Sequence, residues 1–227
     1  MNPCQYGGGD LAEVRTNPDY VYLYRMEALY MLAIMPPEEL REKIQKERVF
    51  FAERYNCVKA LKPPVHITIY EPFKEEHDLV QRIAPLQKWA NSIEPFIISI
   101  NNYGFFENPK SPVAFIHVIK DEPITQLRTA LLKELKKYVE EDESEYVNNK
   151  PVPKAKPQPF NPHFTIGYRD VPPALLPTIK QDYLRRQFKG SFMCDAIHLW
   201  QHNGTNWQTV HTCQLAGRPM PAAPTLF

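Results

Sequence analysis

A chain of 227 residues with 43% hydrophobic and 12% aromatic content can close a sizeable core, which excludes a disordered or fibrous protein. Its 27 Lys and Arg against 26 Asp and Glu leave a formal net charge of +1, so no global field grips a long nucleic acid, and an anionic substrate has to be held locally. No run of about 18 apolar residues occurs, and the start "MNPCQYGGGD" has neither the basic opening nor the apolar stretch of a secretion signal, so a cytoplasmic protein with no membrane partner is expected. Cys4, Cys57, Cys194 and Cys213 are scattered without a C-x-x-C pair, which reads as free thiols rather than a zinc site or a disulfide framework.

In chain order, residues 1–19 carry Gly7-Gly8-Gly9 and no apolar period and read as a flexible extension; a single two-lobed domain over 20–217 and a tail over 218–227 follow. "ALYMLAIM" (28–35) is an apolar strand ended by Pro36-Pro37, and residues 38–55 are rich in helix formers. "KPPVHITIYEPF" (62–73) reads as a short strand. Residues 78–93 have a helical pattern in which Pro85 predicts a break or kink. "PFIISINNY" (95–103) and "PVAFIHVIK" (112–120) form two strands joined by a long hairpin loop. A helix capped by Asp121 runs from Pro123 towards Glu143, and the proline-rich stretch to Pro162 predicts an exposed, mobile connection beside the cleft. "HFTIGY" (163–168) is a strand and 173–188 a helix. "SFMCDAIHLWQ" (191–201) and "NWQTVHTCQL" (206–215) make a hairpin closed at Asn203-Gly204.

The order is thus β-α-β-α-β-β followed by α-β-α-β-β, nearly one unit twice, which predicts an α+β fold of two pseudo-symmetric lobes. The strand after the first helix of each unit is "HITI" or "HFTI". Residues i and i+2 of a strand share a face, so His66 and Thr68 point one way and Ile67 and Ile69 the other; His163 and Thr165 repeat this against Phe164 and Ile166. Two imidazoles and two hydroxyls facing one cavity suit in-line displacement at phosphorus, which needs a base and an acid on opposite sides of the reacting atom. Threonine hydroxyls can donate to the non-bridging oxygens, so that no metal is required. A single H-x-T more often means a histidine satisfied by backbone; two copies in matching positions reverse that preference. Among the other histidines, His77 reads as solvated and His117 as a satisfied polar group. His198, His202 and His211 lie in or beside the last hairpin without a persuasive metal-ligand spacing.

The two H-x-T-x motifs, the element order and the closing "IHLWQHNGTNWQTVHTCQL" resemble the two-histidine (2H) phosphoesterases, in particular the branch of bacterial 2′-5′ RNA ligases and 2′,3′-cyclic phosphodiesterases. The resemblance covers roughly residues 28–216. It implies an antiparallel sheet flanked by helices in each lobe, a central cleft, and metal-independent chemistry without a cofactor on cyclic phosphates or 2′-5′ linkages of RNA or nucleotides. On that likeness His66 and His163 are the acid-base pair, and Thr68 and Thr165 hold the phosphate. Many members place an arginine five residues after the second histidine. Here that position is Tyr168, and Arg169 next to it either compensates or lies on solvated surface. Tyr70 and Phe73 could stack on a base or belong to the core.

The expected function is hydrolysis of 2′,3′-cyclic phosphate or 2′-5′ phosphodiester ends of RNA or nucleotides by a monomer, reversible in principle as 2′-5′ ligation. There is no G-x-x-x-x-G-K-[ST] loop for ATP. The alternatives are a non-catalytic protein that binds nucleotides or RNA ends on the same fold, and an unrelated scaffold for a partner protein.

Overall fold

The computed structural model of the chain describes residues 28–75, 80–135, 146–147, 150–151 and 159–217. Both expected terminal extensions, His77 and most of the proline-rich connection lie outside these residues. Among the described residues, two four-stranded antiparallel sheets and four α-helices make an α+β fold.

The first strand, β1 (Ala28–Ile34), stops before Pro36-Pro37, and α1 (Glu38–Tyr55) starts with Pro37 at its N-cap and two glutamates in its first turn, where the helix dipole favours negative charge. Asn56 ends α1 in the left-handed conformation at φ 56. Ile44, Arg48, Phe51 and Ala52 form its buried face. A short 3-10 turn (Lys59–Leu61) leads to β2 (Ile67–Glu75), which carries the first motif. In α2 (Val80–Ala90), Pro85 lies within the helix rather than ending it. β3 (Phe96–Phe106) runs three residues further than its expected end, so the loop to β4 (Val113–Val118) is shorter than expected. The N-terminus of α3 (Glu122–Leu135) is capped as expected, with Asp121 Oδ1 accepting from the Ile124 amide at 3.4 Å.

Of the proline-rich connection, β5 (Tyr146–Val147) and β6 (Lys150–Pro151) pair as a two-stranded ribbon. The second motif opens β7 (His163–Gly167). The expected helix over 173–188 is instead a 3-10 turn (Pro173–Leu175) followed by α4 (Leu176–Tyr183). The expected single strand over 191–201 is two: β8 (Lys189–Cys194) and β9 (Ala196–His202), divided at Asp195, with β10 (Trp207–Gln214) after a turn in which Asn203 Oδ1 accepts from the amides of Thr205 and Asn206.

That division sets the topology. One sheet has the order β10-β9-β1-β2 and the other β7-β4-β3-β8. The strand that follows the first β-α-β-α unit, β3, therefore joins the second sheet, and the C-terminal hairpin returns to complete the first. The two halves exchange strands rather than standing in tandem. Each motif strand is the outer strand of its own sheet, and β2 and β7 lie next to each other. A single hydrophobic cluster takes Ile34, Ile67 and Ile69 from one sheet, Ile98, Ile116, Phe164 and Ile166 from the other, and Phe51 and Leu127 from the helices, so the lobes share one core.

Candidate active site

In both motifs the alternation holds as the sequence predicts. Ile67, Ile69, Phe164 and Ile166 are at most 1% exposed and belong to the core, while His66, Thr68, His163 and Thr165 are half-buried on the opposite faces.

The two histidines are held in the same way. Nδ1 of His66 lies 2.7 Å from the Pro64 carbonyl oxygen, and Nδ1 of His163 lies 2.7 Å from that of Asn161, two residues back in each case. A carbonyl can only accept, so Nδ1 carries the proton and donates it, and Nε2 of the neutral ring is left with a free lone pair. Each ring is also backed by aromatic side chains. The edge of His66 meets Trp200 at 5.0 Å between ring centroids, and His163 meets Phe106 at 5.2 Å and Phe115 at 4.9 Å. These aromatics need small neighbours. Trp200 packs with Met31 and the fully buried Ala33, and the Phe115 ring occupies the space at Gly104, where an added Cβ would come within 2.4 Å of it.

This packing strips water from both imidazoles, which disfavours their charged forms. Desolvation is the main cause that pushes His66 down from an ordinary 6.5 to about 4; the charges of Arg48 and His163 add to it, and the bond to Pro64 opposes it. His163 is also lowered, by desolvation first and then by the charge of His117, against the bond to Asn161.

Thr68 lies across from Ala33, and its Oγ1 donates to Met31 Sδ at 3.9 Å, a long, weak contact that a better acceptor can displace. The carbonyl of Thr165 accepts from Arg48 Nε at 3.0 Å. The other sequence candidates are placed differently. Tyr70 and Phe73 meet edge to face at 5.3 Å and pack against the core, because a bulge in the β1–β2 register after Thr68 breaks the alternation that would have carried Tyr70 to the motif face. Tyr168 is half-buried, and the guanidinium of Arg169, a residue with φ 65, lies 4.8 Å from the centroid of its ring.

Two histidines assigned no part in the chemistry from the sequence are neighbours of the motifs. His117, expected to be a satisfied polar group, is instead exposed and lies directly across from His163 on β4. His198 is the β9 residue paired with Ala33, so it shares the motif face with Thr68 one strand beyond, and its Nδ1 lies 3.1 Å from Thr212 Oγ1. The available signal was the alternation in "AIHLWQH": Ile197 and Leu199 face the core, leaving His198 and Trp200 on the other side. Among the described residues no group of three or more His, Cys, Asp or Glu is placed to hold a metal ion, and Cys57, Cys194 and Cys213 are buried free thiols.

The fold and the paired motifs define a phosphoesterase-type scaffold, and comparison with known proteins gives the family. Residues 36–206 match the model of the 2′-5′ RNA ligase superfamily, and the chain belongs to that family. It is 30% identical over 139 residues, 61% of its own length and 69% of the relative's, to the Oceanobacillus iheyensis protein OB1230, whose name provisionally calls it a phosphoesterase. Among solved structures, TT0787 of Thermus thermophilus superposes with a TM-score of 0.54 at 18% identity, over 83% of this chain and 98% of that one. Escherichia coli LigT in complex with NADP+ gives 0.52 at 17% identity over 84% and 98%. LigT in complex with ATP gives 0.51 at 17% identity over 83% and 98%. The likeness to these structures is one of fold. Among the described residues no helix is long and apolar enough to cross a membrane.

Proposed function

We propose that the protein is a metal-independent phosphoesterase that opens 2′,3′-cyclic phosphate, or cleaves 2′-5′ phosphodiester, ends of RNA or nucleotides by two-histidine acid-base catalysis. The observation that carries this reading is the matched pair of Nδ1–H···O=C bonds, which leaves Nε2 of both His66 and His163 available as a base or, once protonated, as an acid. A protein that only bound an anion would gain more from permanently charged side chains than from two imidazoles held neutral.

The substrate's phosphate brings negative charge between the rings and favours a proton on one of them. The two rings are held alike, so either can be the base and the other the acid; the displacement with His66 as the base is this. His66 Nε2 takes a proton from water as its oxygen bonds to phosphorus. The bond from phosphorus to one ribose oxygen breaks on the opposite side, and His163 Nε2–H protonates that oxygen as it leaves as a hydroxyl. Thr68 and Thr165 donate to the non-bridging oxygens, where charge accumulates. With a ribose hydroxyl in place of water as the nucleophile, the same pair joins ends through a 2′-5′ bond, driven by the strained cyclic ester rather than by ATP. Family membership supports this reading, as do the solved complexes of LigT with NADP+ and ATP, which carry a nucleotide on the same fold.

The test is an assay of purified protein against 2′,3′-cyclic mononucleotides and short 2′-5′ oligonucleotides. Turnover of at least one class is expected. Binding of these compounds without any product would replace this reading by that of a nucleotide-binding protein.

A further inference from the structure

Arg48 occupies a core position on α1, in the stripe with Ile44, Phe51 and Ala52, and is only 2% exposed. It is the one charged or polar residue among the described residues that is buried to this degree. A buried charge is costly unless an opposite charge and hydrogen bonds compensate it, yet among the described residues no carboxylate pairs with it. Its partners are neutral: Nε donates to Thr165 O at 3.0 Å, and Nη1 donates to Pro63 O at 2.9 Å and to Gln45 Oε1 at 3.4 Å.

One of these acceptors belongs to a motif and another to the segment that leads into the other motif. Thr165 is the phosphate-side threonine of β7, and Pro63 lies three residues before His66 in the segment whose Pro64 carbonyl fixes that ring. The guanidinium thus bridges the seam where the outer strands of the two sheets meet, and its charge is among those felt by His66. The two N–H groups on Nη2 bond no described residue.

We propose that Arg48 is the positioning residue of the two-histidine site, tying the segment that leads into β2 to β7 at the separation one phosphate requires and supplying the permanent positive charge that draws the phosphate between them. The proposal rests on the phosphoesterase reading for its substrate. Arginine suits both tasks because its planar fork reaches two carbonyls at once while staying charged; lysine keeps the charge but is a single point donor.

The experiment compares wild type, Arg48→Met and Arg48→Lys after thermal unfolding has established that each is folded. Three quantities are read: affinity for inorganic phosphate, the NMR titration of His66, and kcat and KM on a 2′,3′-cyclic mononucleotide. Arg48→Met is expected to weaken phosphate binding by about tenfold or more and to move the His66 titration upward. Arg48→Lys is expected to keep phosphate affinity within about threefold yet lose about tenfold or more in kcat, because one bridge is gone. A folded Arg48→Met that binds phosphate and titrates His66 as wild type does overturns the proposal, as does Arg48→Lys with wild-type kcat. Should the methionine variant fail to fold, Arg48→Gln, which keeps a donor for the seam, is read in its place. If the wild type binds phosphate but turns over no cyclic nucleotide, the phosphoesterase reading fails, while the phosphate and His66 readouts still decide the role of Arg48.

Discussion

Acidification should reveal the energetic cost of burying His66. In the unfolded chain its ring protonates near 6.5, whereas in the folded protein desolvation by Trp200 and its surroundings, with the charges of Arg48 and His163, holds it down at about 4. Between those values the unfolded state binds more protons, so stability is full above pH 6.5 and falls as pH drops towards 4. Each pH unit within that window is worth about 1.4 kcal/mol, so at pH 5 the unscreened loss from this one group is about 2 kcal/mol. Solvent reaching the half-buried ring screens part of that, leaving about 1 to 2 kcal/mol. Urea unfolding of wild type and His66→Gln at pH 7 and pH 5 isolates the contribution, because the lowered His163 and His198 act in both proteins. The variant should lose less stability on acidification by that amount. Equal losses in the two proteins, or a His66 ring signal that titrates near 6.5 by NMR, would refute the desolvation argument.

Replacing either His66 or His163 by alanine should lower turnover of a cyclic nucleotide by about 10² or more, with the double variant losing far less than the product, since the pair acts as a unit; a near-normal rate in either single variant would contradict the mechanism. Activity should survive EDTA, the hydroxyls of Thr68 and Thr165 serving where a cation otherwise would; an EDTA-killed enzyme restored by a divalent metal would show the site to be misread. Gly167→Ala should cost about 1 to 3 kcal/mol by overpacking, measured by denaturant unfolding, because the added Cβ would lie 2.3 Å from Cε1 of the fully buried Phe51. Gly104→Ala should displace the Phe115 ring, 2.4 Å from the added Cβ, and with it the backing of His163, reducing kcat more than stability.

Much of the site was legible because its logic is local. A strand alternates faces whatever it pairs with, so the order His-Ile-Thr-Ile was enough to separate the motif face from the core face, and the same holds for His163 to Ile166. Caps and turns were equally local: Asp121 and Asn203 act through amides two or three residues away. Where a bulge interrupts the period after Thr68, sequence reasoning left Tyr70 open between base stacking and the core, since nothing in β2 itself announces a register shift that arises in its pairing with β1.

What the sequence by itself determined, then, was the identity of the two polar strands and which of their residues share a face. Only the tertiary structure decided which strands share a sheet. Backbone ladders are made of the same N–H and C=O groups in every strand, so the departure of β3 to the second sheet and the break at Asp195 follow from long-range packing rather than from local preference. The same holds for Arg48, whose acceptor Thr165 lies 117 residues away: along α1 it reads as one more charged residue, and its burial across the seam exists only once β2 and β7 have come together. The lowered affinity of His66 for protons is likewise a property of what covers it, and Trp200, Arg48 and His163 reach it from three distant parts of the chain because the two sheets close on each other.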